Sequence, residues 1–118
     1  MENKEFAQKL EKRTREFAIS IINISSKLSS QVEQKVIKNQ LTKSGTSIGA
    51  NYREANRAKS RADFRNKIKI CESEASETQY WLSIISDMNW VSSHDIKNVY
   101  EECSELLALF TKIGFNSK

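Results

Sequence analysis

The sequence predicts an all-α fold: one antiparallel four-helix bundle of up-down-up-down topology. Three observations carry that expectation: proline is absent, a serine-led helix-start signal recurs at near-equal intervals, and apolar residues fall in steps of three and four. At 118 residues the chain is expected to form a single domain, 1–118, large enough to bury one core without disulfides or metals. Only three glycines interrupt it, a composition that favours long helices over the turn-rich strands of a sandwich or barrel.

The start signals are Ser30-x-x-Glu33, Ser60-x-x-Asp63 and Ser92-x-x-Asp95. Each fits a capping box, in which the serine oxygen accepts from a first-turn amide and the acid reaches back to the serine N–H. With Asn3 as a first cap and Gly114 as a final stop, they mark helices near 4–28, 31–57, 61–89 and 93–113. Periodicity agrees with these limits. The first segment places Leu10, Thr14, Phe17, Ile21, Ile24 and Leu28 on one seam, and the third places Phe64, Ile68, Cys71, Ala75, Thr78, Leu82 and Ile85. The fourth repeats the pattern with Ile96, Val99, Cys103, Leu106, Phe110 and Ile113, so both cysteines read as small buried hydrophobes.

The second segment is less regular. Val36, Ile37, Leu41, Ile48 and Tyr52 are interrupted by Ser44, Gly45, Thr46, Ser47, Gly49 and Ala50. Each glycine inside a helix costs about 1 kcal/mol against alanine, so a compensating gain is expected. Gly45 and Gly49 stand four apart, on one face, where another helix can approach closely. A phosphate-cradling loop needs a following Gly-Lys-Ser/Thr and a preceding strand, and this segment has neither. Gaps of a few residues between the helices leave no room for a crossover, hence the up-down-up-down expectation.

Catalytic chemistry finds little support. A di-iron carboxylate bundle needs Glu-x-x-His on two helices, and the one histidine, His94, stands beside an expected cap. Glu74 and Glu77, one turn apart, are a conceivable acid/base or metal pair, but their ordinary role is a solvated or interfacial ion pair. Cys71 and Cys103 form no CxxC or Cys/His cluster, which argues against a zinc site or a disulfide framework and for a reducing setting. No apolar run is long enough to span a bilayer, and MENKEFAQKL lacks the apolar core of a secretory signal, so a cytoplasmic protein is expected. No enzyme activity, metal or cofactor is expected.

Charge is the more informative feature. Residues 1–52 carry nine Lys/Arg against five acids, residues 53–69 seven against two, and residues 70–118 three against eight. The central cluster is Arg53, Arg57, Lys59, Arg61, Arg65, Lys67 and Lys69, which a hairpin between the second and third helices gathers at one end of the bundle. A helix N-terminus adds partial positive charge there, and the guanidinium fork grips phosphate with two hydrogen bonds. Two readings stay open: a polyanion such as RNA or DNA meets that tip, or its charges pair with the acidic carboxy-terminal half. Offset from the third seam lie Ile70, Tyr80, Trp81, Ile84 and Met88, either the wide apolar face of a globular helix or a subunit interface.

The segment Leu41-Thr42-Lys43-Ser44-Gly45-Thr46-Ser47-Ile48-Gly49-Ala50-Asn51-Tyr52-Arg53-Glu54-Ala55 is more specific than composition. Together with Arg57-Ala58-Lys59-Ser60-Arg61-Ala62-Asp63-Phe64 and Glu74-Ala75-Ser76-Glu77-Thr78-Gln79-Tyr80-Trp81-Leu82, it closely resembles bacterial 23S rRNA intervening-sequence proteins, over nearly the whole chain. The resemblance implies a four-helix bundle assembled as a homopentameric ring. It also implies kinship with accessory proteins of diversity-generating retroelements, which bind nucleic acid and a reverse transcriptase through a basic surface. Some members are described as ribosomal proteins, a label that concerns gene location. No catalytic residues come with the resemblance. The expected function is a non-enzymatic oligomeric scaffold for nucleic acid; the alternative is a protein-protein adaptor for an RNA-binding enzyme such as a reverse transcriptase.

Overall fold

A computed structural model describes residues 3–118, so residues 1 and 2 of the expected domain lie outside the described residues. Four helices, α1 (Lys4–Ser25), α2 (Val32–Ala55), α3 (Arg61–Asp87) and α4 (Ser93–Asn116), form an all-α bundle measuring 44 × 24 × 20 Å. Each helix packs on the next, and α1 closes the bundle by a less extensive contact with α4. Hydrogen bonds fix the relative directions. Thr42 meets Ser25 and Asn56 meets Glu11 between α2 and α1, while Lys67 meets Glu54 and Thr78 meets Ser44 between α3 and α2. As numbers rise on one helix they fall on its neighbour, the antiparallel relation that the short connections impose.

The seams of α1 and α3 are buried at every expected position. Of the expected seam positions of α4 only Val99 is half-buried, at the flank of the core. In α2 the seam runs through Ile37, Leu41, Ser44, Ile48, Tyr52 and Ala55, and Val36, expected with them, is 53% exposed. A step of one residue turns the helix by about 100°, so Val36 and Ile37 cannot both face inward.

Helix boundaries follow their caps. Asn3, Ser60 and Ser92 accept from the amides of Phe6, Asp63 and Asp95. Ser30 does not cap α2. Gln31 occupies that position without a side-chain cap bond; Ser29 Oγ accepts from the Gln31 amide, and Gln34 Oε1 accepts from the Ser29 amide at 2.8 Å. Gln34 thus ties down the chain two residues ahead of the cap, in place of the expected bond from the Ser30 amide to Glu33.

α3 ends at Asp87 because Asn89 takes φ 56, from which its amide reaches Ser86 O and the Trp90 amide reaches Ile85 O. This is the Schellman arrangement, with asparagine in the left-handed position. Gly114 is not a stop; it stays right-handed and α4 continues to Asn116. Gly45 and Gly49 face α1. A Cβ on Gly45 would lie 2.7 Å from both Cγ atoms of Ile21, and one on Gly49 would lie 3.1 Å from Thr14 Oγ1. The close helix approach expected of these glycines is therefore the α1–α2 contact.

Candidate nucleic-acid interface

The turn at residues 56–60 carries Arg57 and Lys59, with Arg53 on the last turn of α2 and Arg61, Arg65, Lys67 and Lys69 along the start of α3. Arg53, Arg57, Lys59, Arg61 and Lys69 are exposed, whereas Arg65 and Lys67 are half-buried. Lys67 Nζ donates to Glu54 Oε1 at 2.9 Å, a clasp between α2 and α3 that takes up the one carboxylate at the end of α2. Arg65 Nε is buried with no hydrogen-bond partner among the described residues.

Among the described residues no acid of the carboxy-terminal half forms an ion pair with this cluster, although Glu72 and Glu77 share a recess with Lys69. The ion pairs that acids of that half form among these residues are with α1 and the turn after it: Arg13 with Glu102 and Glu105, and Lys27 with Asp95. The bundle brings α1 beside α4, so the charges that balance locally are those of the first and last helices. Among the described residues Arg53, Arg57, Lys59 and Arg61 are exposed and form no ion pair, while Lys67 is taken up by Glu54.

The seven cations do not share one face. Arg57, Lys59 and Lys67 line a depression of about 530 Å³ at the turn, together with Glu54, Asp63 and Asn66. Lys69 lies on another side, in a recess with Glu72, Glu77 and Tyr80. Arg53 and Arg57 border a third hollow, of about 550 Å³, between α2 and α1. Its opposite wall carries Lys12 and Arg15, both exposed and both outside the basic segment 53–69. Their signal is a pair of cations three apart and off the α1 seam, and its partner in α2 becomes visible only when the hairpin register is known.

Of the expected interface residues, Ile70, Tyr80 and Met88 are exposed, while Trp81 and Ile84 are half-buried. Trp81 packs against the core, donates its indole N–H to Glu77 Oε2 at 3.1 Å and meets the Tyr80 ring edge-on at 5.1 Å. Glu77 therefore serves the tryptophan, and Glu74 offers its backbone carbonyl to the Thr78 hydroxyl. Among the described residues no three His, Cys, Asp or Glu side chains gather where a metal ion would bind. Among them, too, no helix is long and apolar enough to cross a membrane.

No curated protein matches the chain significantly. A crystal structure of a protein of unknown function from the S23 ribosomal protein family of Bacteroides thetaiotaomicron superposes with a TM-score of 0.81 at 36% identity, covering 88% of this chain and 96% of the other. The family described as 23S rRNA-intervening sequence protein matches residues 5–112, almost the full length of the bundle. The chain therefore belongs to the 23S rRNA-intervening sequence protein family.

Proposed function

We propose that the chain is a non-enzymatic, oligomeric scaffold that binds the sugar-phosphate backbone of RNA or DNA through the basic α2–α3 end, without reading base sequence. The observation that carries this reading is the exposed set Arg53, Arg57, Lys59 and Arg61, with Arg65 behind it, left unpaired by the acids of α4. Phosphate contacts by Lys and Arg release counterions, so affinity must fall steeply with salt. Five contacts to a single strand give a slope of about −3.5, or roughly a hundredfold loss between 50 and 200 mM salt. Fluorescence anisotropy with mixed-sequence oligonucleotides measures this directly. The Arg57→Glu/Arg61→Glu variant is expected to abolish binding with helicity intact, and affinity indifferent to salt would overturn the reading.

The oligomer belongs to the same proposal: a homopentamer using the exposed Ile70, Tyr80 and Met88 on α3. Light scattering tests it, and a solution mass equal to the 13.6 kDa chain would remove it. The surface aromatic pair Tyr80–Trp81 favours a second reading, a protein-protein adaptor for an RNA-binding enzyme. A captured partner that survives nuclease treatment, joined to absent oligonucleotide binding, would put the adaptor in place of the scaffold.

A further inference from the structure

The hollow between α1 and α2 is a trough with two basic walls. Lys12 and Arg15 stand one turn apart on α1, about 4.5 Å along the axis, and the other wall carries Arg53 on the last turn of α2 and Arg57 in the turn that follows it. None of the four forms an ion pair among the described residues. One acid, Glu11, lines the trough and accepts from Asn56 Nδ2 at 2.8 Å, so four cations against one carboxylate leave a net charge of +3. The rest of the lining is made of small residues, Ala18, Thr46, Gly49 and Ala50. The two helices approach closely here, since a Cβ on Gly49 would stand only 3.1 Å from the Thr14 hydroxyl oxygen.

We propose that the α1–α2 trough seats one sugar-phosphate strand lengthwise, with Lys12 and Arg15 on α1 facing Arg53 and Arg57 across successive phosphates. The proposal rests on the nucleic-acid reading above and extends it to a helix outside the turn. Arg57 borders both the turn depression and the trough, so a strand gripped at the α2–α3 end can pass into the trough over that arginine. Cations on both walls, three of them on helices and Arg57 in the turn after α2, suit a backbone that repeats its charge at regular intervals. The trough lacks an aromatic platform, so it holds phosphates and sugars and leaves the bases outward.

The test uses the full chain and a fluorescein-labelled single-stranded 12-mer. Lys12→Gln/Arg15→Gln removes two exposed charges, and circular dichroism should match wild type. Binding at low salt is expected to weaken at least tenfold, and the slope of log K against log salt to shrink by about 1.4, two contacts at about 0.7 each. The control Lys97→Gln/Lys112→Gln removes the same charge from α4 and is expected to leave affinity within about twofold. Bound oligonucleotide should also shield Lys12, and not Lys97, from acetylation read by mass spectrometry. Wild-type affinity in Lys12→Gln/Arg15→Gln, with Arg57→Glu/Arg61→Glu still inactive, would overturn the trough and leave the turn reading standing. An equal loss in the control would likewise overturn it, as an effect of net charge. Failure of the wild-type chain to bind any oligonucleotide would overturn both.

Discussion

Arg13 grips Glu102 with two hydrogen bonds, Nε to Oε2 and Nη2 to Oε1, both 2.7 Å, and so fastens α1 to α4 where the bundle closes. Glu105 adds a third acceptor at 3.0 Å. The hydrogen bonds to Glu102 are the largest influence on Arg13 and raise its proton affinity; partial burial works against them. Side-chain exposures of 37% and 31% keep the gain small, about 1 kcal/mol for a forked pair partly screened by solvent. Arg13→Lys loses the fork and is expected to lower the melting temperature by about 4 °C. A double-mutant cycle over Arg13→Ala and Glu102→Ala should return a coupling of about 1 kcal/mol, and a coupling near zero would show that α1 and α4 are held by packing alone.

Gly45 and Ile21 set the α1–α2 distance. A Cβ on Gly45 would meet Ile21 Cγ1 and Cγ2 at 2.7 Å and Cβ at 3.0 Å, and Ile21 is fully buried. Gly45→Ala gains about 1 kcal/mol of helix propensity, but overpacking on this scale costs about 2–3, so a net loss of about 1–2 kcal/mol is expected in urea unfolding. Ile21→Ala should cost less in the Gly45→Ala background than in wild type, because the added methyl enters the space the isoleucine leaves. Additive costs, or a Gly45→Ala chain more stable than wild type, would mean that α1 is free to shift.

Burial, and then the neighbouring Glu102 carboxylate, push the Cys103 thiol up to about 12. The folded chain keeps this proton where the unfolded chain, ionising near pH 8.5, releases it. The thiol therefore costs nothing below about pH 8.5, and stability is lost as pH rises from there towards 12, by about 1 kcal/mol per unit. Urea unfolding at pH 9 and pH 10 should show wild type losing about 1 kcal/mol more than Cys103→Ala. At pH 8 the native thiol is expected to resist alkylation on the timescale that labels the urea-unfolded chain. Rapid native labelling would place Cys103 in an open conformation.

Most of this architecture is legible because a single period of three and four generates it. Leu10 to Leu28 and Phe64 to Ile85 are buried as that period requires, and three of the caps are read from a serine or asparagine alone. What resists reading depends on partners distant in sequence or on backbone choice. Lys12 and Arg53 lie forty-one positions apart and meet across one trough only through the register that Gly45 and Gly49 permit. Gly114 looks like a stop, yet nothing there demands a left-handed residue. The basic cluster is contiguous in sequence, but a helix spreads successive residues around its axis, so Lys67 and Lys69 face different recesses.

Asn89 takes the left-handed conformation that ends α3, with φ 56, and its backbone bonds join the last turn to the connection before α4. An L-residue in that region is strained by about 1–2 kcal/mol, less for asparagine than for others, and glycine is not strained at all. Asn89→Gly removes the strain but also loosens the unfolded chain, so a net gain of about 0.5 kcal/mol is expected, near 2 °C in melting temperature. Asn89→Ala keeps the strain without the asparagine's tolerance for it and should cost about 1 kcal/mol. The side chain is exposed, so neither change disturbs packing and the ordering of the three residues isolates the backbone. If alanine proved at least as stable as asparagine, α3 would end by the pull of Trp90 and Val91 into the core, and the left-handed residue would be a consequence of that docking.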